Sequence, residues 1–292
     1  MLKDLSFQIL TVGLLIVFNG CRINPITHKP YFQLISDREE ISLGEFTREY
    51  VDKEFHYAIF NNKAIEEYIS YVGQKLVRVS HRSTLGYTFR ILNSDSLNAF
   101  ALVGGNIYIT TGLLSVIENE SQLAVVLAHE LAHIALHHPG RMLKDSIESE
   151  GPLYTIGYLI RKLSTSAKAY LTYHISQVTE MIISGGFSEK DEKEADILML
   201  EYVVRSGYHP SGFVELLKIL QKVNKESPEL VANFFKTHPS WSKDISAVER
   251  SIVEKYKNEL EKEILINDSV EFQRIVRNFF LVERIKNIKF EK

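Results

Sequence analysis

The chain has 292 residues, of which 45% are hydrophobic and 24% charged, and its net charge is -3. This is the composition of a globular protein long enough for one large core, which excludes a disordered chain, and it lacks the basic field that would mark a nucleic-acid partner. Cys21 is the only cysteine, so no disulfide can form within the chain.

Residues 5–18, LSFQILTVGLLIVF, carry no charge and follow Lys3. Their length fits the apolar part of a secretory signal and falls short of a membrane span. The run ends at FNGC, with small residues before the lone cysteine, and so resembles a bacterial lipoprotein signal cut between Gly20 and Cys21. Residues 1–20 are therefore expected to be a lipoprotein-type signal peptide, with Cys21 the lipidated residue and residues 21–36 a tether. Lipidation would hold an otherwise soluble domain at a membrane, since no later stretch reaches about 18 uncharged apolar residues. Arg22 rather than Asp after the cysteine favours the outer over the inner membrane.

From Asp37 to about Ser80 the apolar residues recur at helical spacing, as in Ile65, Tyr68, Ile69, Val72, Leu76 and Val79. Between Tyr87 and Gly112 the segments YTFRILN, NAFALV and NIYITTG are rich in β-branched and aromatic residues and are separated by NSDS and GG, which predicts a small antiparallel sheet. Asn119, with Gln122 three residues on, predicts the start of a helix that runs to His138 and is ended by Pro139-Gly140. Residues 141–187 show no clear period and are expected to hold a mobile or substrate-facing segment. Ser188, with Asp191, starts a further helix that stops at Gly207, and helix resumes from Ser211 to about Asn224. FFKTHPSW reads as a turn, and the chain from Ile245 onward is charged and amphipathic.

The chemistry concentrates in LAHELAHIALHHPG, residues 127–140. His129 and His133 are four apart, so on a helix their rings leave one face, about 40° apart in rotation and about 6 Å in rise. Two imidazoles so placed can bind one Zn²⁺, and Glu130 beside them can act as general base on a water. Leu, Ala and Ile flank these groups, and burying them without a partner would be costly. The spacing of a metzincin is excluded, because Pro139 stands where it requires the third His. His137 and His138 lie beyond reach of the same metal on a straight helix and read as helix-end residues. In DEKEAD, residues 191–196, Glu192 and Asp196 are also four apart. Glu192 can supply a carboxylate ligand, and Asp196 can accept a hydrogen bond from a ligand histidine. Glu194, about 200° round the helix from Glu192, points elsewhere.

Read in order, NPIT, NAFALVGGNIYITTGLL, HELAH, FSEKDEKEAD with LEYVVRSGYHP, and THP resemble the zinc metallopeptidase family of HtpX, the CAAX-prenyl endopeptidases, BepA and Oma1, over about residues 21–245. The resemblance implies an α+β fold, mainly helical and zincin-like of the gluzincin type, with a metallopeptidase domain over 37–250 and a C-terminal helical extension over 251–292. It implies one Zn²⁺ per chain held by His129, His133 and Glu192, Glu130 as catalytic base, and Asp196 as a supporting residue that can donate a proton. It also implies that His238 can approach the metal and gate it, although Asp244 stands where the family usually has Arg. The expected activity is peptide-bond hydrolysis in unfolded or misassembled envelope polypeptides, with Asn98, Ala99, Phe100 and Ala101 as an edge strand for the substrate. The expected place is the bacterial envelope, lipid-anchored on the periplasmic side. A non-enzymatic, zinc-stabilised chaperone or assembly factor at a membrane surface is the competing reading.

Overall fold

The computed structural model describes residues 21–32, 36–54, 59–149, 165–242, 244–260 and 265–282. The signal expected at residues 1–20 lies outside the described residues. No helix among the described residues is long and apolar enough to cross a membrane.

A short antiparallel pair, β1 (Cys21–Ile23) and β2 (Pro30–Phe32), leads into α1 (Asp37–Glu54) and α2 (Lys63–Val79). Asn62 caps α2 by accepting from the Ile65 N–H, and its stripe of Ile65, Tyr68, Ile69, Val72 and Leu76 is buried as the helical spacing requires.

The next three strands are β3 (Thr88–Leu92), β4 (Ala99–Leu102) and β5 (Asn106–Thr110), and they form one sheet in the order β3-β5-β4. The sheet is mixed, not purely antiparallel. β4 and β5 make the expected hairpin across Gly104-Gly105, but β5 inserts between β4 and β3 and pairs with β3 in parallel, Thr88 opposite Asn106. Both faces are covered. Ala99, Ala101, Ile107 and Ile109 face the larger core with α2, while Phe100, Leu102 and Tyr108 join Leu43 and Ile182 in a second cluster. Hence β5 is buried at every position instead of alternating with solvent.

After α3 (Thr111–Val116) comes the central helix α4 (Glu120–Ala135), of which all 16 residues are buried. A helix surrounded on all sides has no solvent face to keep polar, so its ionisable groups must find partners inside. Asn119 caps α4 by accepting from the Gln122 N–H, and Gln122 Oε1 accepts in turn from the Glu118 N–H at 2.8 Å. The other end differs from expectation. α4 stops at Ala135, His137 adopts a left-handed conformation (φ 59°), and Pro139 sits in the first turn of a new helix, α5 (His138–Glu148). Pro is well suited to that position because the first turn leaves its missing N–H without consequence.

Within 141–187, where no period was legible, the chain forms the rest of α5 and then α6 (Thr165–Gly185). Residues 150–164 lie outside the described residues. α7 (Glu189–Arg205), capped by Ser188, lies against α4. α8 (Ser211–Glu226) follows. The turn expected at FFKTHPSW begins as the end of a helix, α9 (Pro228–Thr237), opened by Pro228, and only Pro239–Ser242 forms a tight 3₁₀ turn. α10 (Ile245–Leu260) and α11 (residues 270–282, π-helical over Gln273–Arg277) are the last elements among the described residues.

The segment around α11 returns to the start of the central helix. The Asn267 carbonyl accepts the Ser121 N–H at 2.9 Å, and Ser121 Oγ donates to Asn267 Oδ1 at 2.7 Å. Buried Glu120 accepts from Tyr68 Oη and Tyr208 Oη, each at 2.7 Å, and Tyr68 also bonds Ser269 at 2.8 Å. At the opposite end, Arg82 donates to the Ile134 carbonyl at 3.0 Å and pairs with buried Glu40 at 2.8 Å.

The hairpin turn packs so tightly on α1 that a Cβ at Gly104 would lie 2.2 Å from the Gly44 Cα, and Gly104 also has φ +78°. Gly104→Ala is therefore expected to lower the unfolding free energy by roughly 1–3 kcal/mol in denaturant titrations. Gly140→Ala, whose Cβ would meet nothing within 4 Å, should be neutral or slightly stabilising.

Candidate metal centre

Helix α4 carries His129, Glu130 and His133, and α7 carries Glu192 and Asp196. The caps at Asn119 and Ser188 fix where each helix begins, and with it which face turns inward. The structure brings the two four-residue pairs together. His129 Nε2 and His133 Nε2 are 3.0 Å apart, and Glu192 reaches both, with Oε2 at 3.4 Å from His129 and Oε1 at 3.3 Å from His133. His238, at the end of α9, places Nδ1 3.2 Å from Glu192 Oε2 and Nε2 3.9 Å from Glu130 Oε1. Its position depends on a close backbone approach, since a Cβ at Gly186 would lie 2.2 Å from the Thr237 carbonyl oxygen.

Asp196 faces His129 Nδ1 at 3.2 Å and is itself held by Trp241 Nε1, which donates to the same Oδ1 at 2.8 Å. Glu194 points elsewhere, as its position on the helix requires, and accepts from Asn24 in the loop between β1 and β2 at 3.0 Å. Asp244 accepts from the Ser246 N–H near the start of α10, away from the cluster. Asn98 precedes β4 and donates to the Ile183 carbonyl at 3.4 Å, while Ala99, Phe100 and Ala101 lie in β4, an outer strand of the sheet. The Ala101 backbone lies near the Glu130 carboxylate and favours its ionised form, so β4 meets the helix at its acidic residue.

Two partners escape the sequence reading. Trp241 has no spacing motif; its only signal is that it is the sole tryptophan, next to THP. His138 reads as a helix-end residue, but the chain reverses at His137, and His138 Nδ1 lies 2.8 Å from His133 Nδ1.

The electrostatics show what this cluster lacks. His129, Glu130, His133 and Glu192 are each no more than 1% exposed. Burial works to raise the Glu192 carboxyl, but His133, His238 and the hydrogen bond with His129 hold it well below the usual carboxylate range. Burial works to lower the His129 imidazole, and Asp196 and Glu192 overcome it, lifting it to about 10. Burial pushes the Glu130 carboxyl up, His133 well down, and His138 down to about 3. The cluster thus calls for positive charge at its centre.

A divalent cation fits that demand. His129, His133, Glu192 and His238 each offer one ligand atom, all within 4.8 Å of one another. Zinc about 2.0–2.1 Å from four tetrahedral ligands would set those ligands about 3.3 Å apart. The observed separations of 3.0–3.4 Å among His129, His133 and Glu192 are close to that. Glu192 Oε1 is also buried without a hydrogen-bond partner, as a carboxylate oxygen reserved for a metal would be.

A mainly helical α+β fold with a small sheet, carrying imidazoles and a carboxylate from two adjoining helices, defines the class as a metalloendopeptidase domain. The chain belongs to peptidase family M48, which matches its residues 63–252. It is 32% identical to the beta-barrel assembly-enhancing protease of Escherichia coli (strain K12) over 189 residues, covering 62% of this chain and 37% of that protein. It is 28% identical to the mitochondrial metalloendopeptidase OMA1 of Schizosaccharomyces pombe over 191 residues, covering 64% of this chain and 53% of that protein. With the corresponding Danio rerio metalloendopeptidase it shares 24% identity over 259 residues, covering 84% of this chain and 53% of that protein. The chain therefore spans between about a third and about half of these relatives.

His133→Ala should reduce the zinc content of the purified protein to near zero by elemental analysis. A chelator should lower the melting temperature of the parent protein and leave that variant unmoved. A variant with the parent's zinc content would remove His133 from the ligand set.

Proposed function

We propose that this chain is a zinc-dependent endopeptidase that cleaves unfolded or misassembled polypeptides of the bacterial cell envelope, held at the membrane by a lipidated Cys21. The observation that carries the reading is the placement of Glu130 beside His129, His133 and Glu192, on a helix packed against β4. Bound zinc would supply a Lewis acid for the scissile carbonyl and acidify the attacking water. His129, His133 and Glu192 would hold it. Asp196, itself held by Trp241, fixes the His129 ring. Glu130 takes the proton of the attacking water and passes it to the leaving amine. Burial raises its carboxyl, which suits a group that must both accept and release a proton near neutral pH.

An extended substrate pairs along the outer side of β4, main chain to main chain, at Asn98, Ala99, Phe100 and Ala101. Such pairing is weakly selective for sequence and suits unfolded clients in protein quality control. His238 occupies the side of the cluster where a fourth ligand would stand, so it gates the site and swings away when substrate enters.

The kinship with beta-barrel assembly-enhancing proteases favours an envelope substrate, and FNGC favours the lipid anchor, with the outer membrane ahead of the inner because Arg22 follows the cysteine. The burial of the centre favours a second reading, a non-enzymatic zinc-stabilised chaperone or assembly factor at the membrane surface, in which the site never opens.

Glu130→Gln should keep its zinc and lose cleavage of denatured casein, while the parent degrades casein in a chelator-sensitive way. Cleavage retained by the variant would overturn the role of Glu130, and a parent inert towards casein and towards itself would favour the chaperone. Cys21→Ser should move the full chain, expressed in a bacterial host, from the membrane to the soluble fraction. If it stays with the membrane, the lipid anchor is wrong.

A further inference from the structure

The second imidazole of the HELAH motif is oriented by an unusual partner. The outward nitrogen of His129 faces a carboxylate, Asp196, at 3.2 Å. The outward nitrogen of His133 faces another imidazole, with His133 Nδ1 and His138 Nδ1 2.8 Å apart and the ring planes at 68°. Both histidines are buried, at 0% and 1% exposure. Phe187 stacks on the His133 ring at 4.2 Å and reaches the His138 ring at 5.7 Å, so the pair is walled by an aromatic side chain.

Two ring nitrogens at this distance need one proton between them, and the donor decides the chemistry of the opposite atom. If His138 donated, neutral His133 would carry its proton on Nε2, which points at His129 and Glu192 and could not then bind a cation. If His133 donates, its Nε2 lone pair is free for the metal. His138 must then carry its own proton on Nε2, and that atom faces Asp191 Oδ1 at 3.7 Å. Asp191 is anchored by Arg141, whose Nη2 donates to it at 2.6 Å.

We propose that His138 is a positioning residue for the metal centre: as a neutral acceptor backed by Asp191 and Arg141, it holds His133 in the one tautomer that can ligate. The reversal at His137 is what makes this possible, because it brings His138 back beside a residue five positions earlier. His138 and Arg141 lie in the first turn of α5 and Asp191 in the first turn of α7, so the chain of contacts also links the helix after the motif to the helix that carries Glu192. This inference rests on the proposed metal reading, since it concerns how a ligand is presented.

The test is zinc affinity, measured by competition with a chromophoric chelator on apo-protein shown to be folded by circular dichroism. His138→Leu removes the acceptor and should weaken binding on the order of 10–100-fold. His138→Asn, whose side-chain carbonyl can accept the same hydrogen bond, should bind several-fold more tightly than His138→Leu. A leucine variant as tight as the parent, or an asparagine variant as weak as the leucine variant, overturns the proposal. The parent protein gives a check that needs no variant: in nitrogen-15 spectra of the zinc-loaded chain, His133 should be the Nδ1–H tautomer and His138 the Nε2–H tautomer. A proton on Nδ1 of His138 would overturn it. A parent that takes up no zinc at all ends the metal reading itself, an outcome distinct from zinc that binds regardless of residue 138.

Discussion

Glu192 is a carboxylate with no exposed surface, facing three imidazoles. A negative charge in that position is tolerable only if positive charge sits against it, because water cannot reach it. The rest of the centre answers this requirement. The His129 and His133 Nε2 atoms point at the carboxylate, while their outward nitrogens are turned to Asp196 and His138. One cation shared by Glu192 and the imidazoles satisfies all of these groups together, which no single proton can do.

Holding the groups at that spacing is the work of the scaffold around α4. The helix is fixed at both ends by residues remote in sequence. Glu120 and Ser121 are bound by Tyr68, Tyr208 and Asn267, and the Ile134 carbonyl by Arg82. A helix so pinned cannot rotate about its axis to carry His129 and His133 away from Glu192. α7 is set by its Ser188 cap and by Trp241, which reaches Asp196 from the turn after His238. The same short turn thus presents one group to the cluster and another to its outer support.

Much of this was legible in the sequence because it depends on local geometry. The caps at Asn119 and Ser188 follow from side-chain oxygens beside an unpaired first turn, and the two four-residue spacings follow from helical pitch. The hairpin at Gly104-Gly105 was legible for the same reason. What could not be read depends on tertiary choice. Three strands in a row suggest a meander, yet β5 fills the gap between β4 and β3, and the pairing with β3 becomes parallel. Pro139 suggests the end of a helix, yet α4 ends a turn earlier at Ala135 and the proline begins the next one. That shift of one turn converts His138 from a terminal residue into a neighbour of His133. Trp241 was hidden because a 3₁₀ turn has no periodic signature, and its direction is set by the contact of Gly186 with Thr237.

The bond between Ser121 and Asn267 spans 146 positions of the chain. During synthesis, the first turn of α4 is therefore made long before the partner that completes it leaves the ribosome. The helix that bears the histidine pair cannot reach its final setting until the chain has emerged past Asn267. A nascent chain accordingly carries HELAH in an unfinished frame, and the cluster matures only after the segment that bears Asn267 has been made.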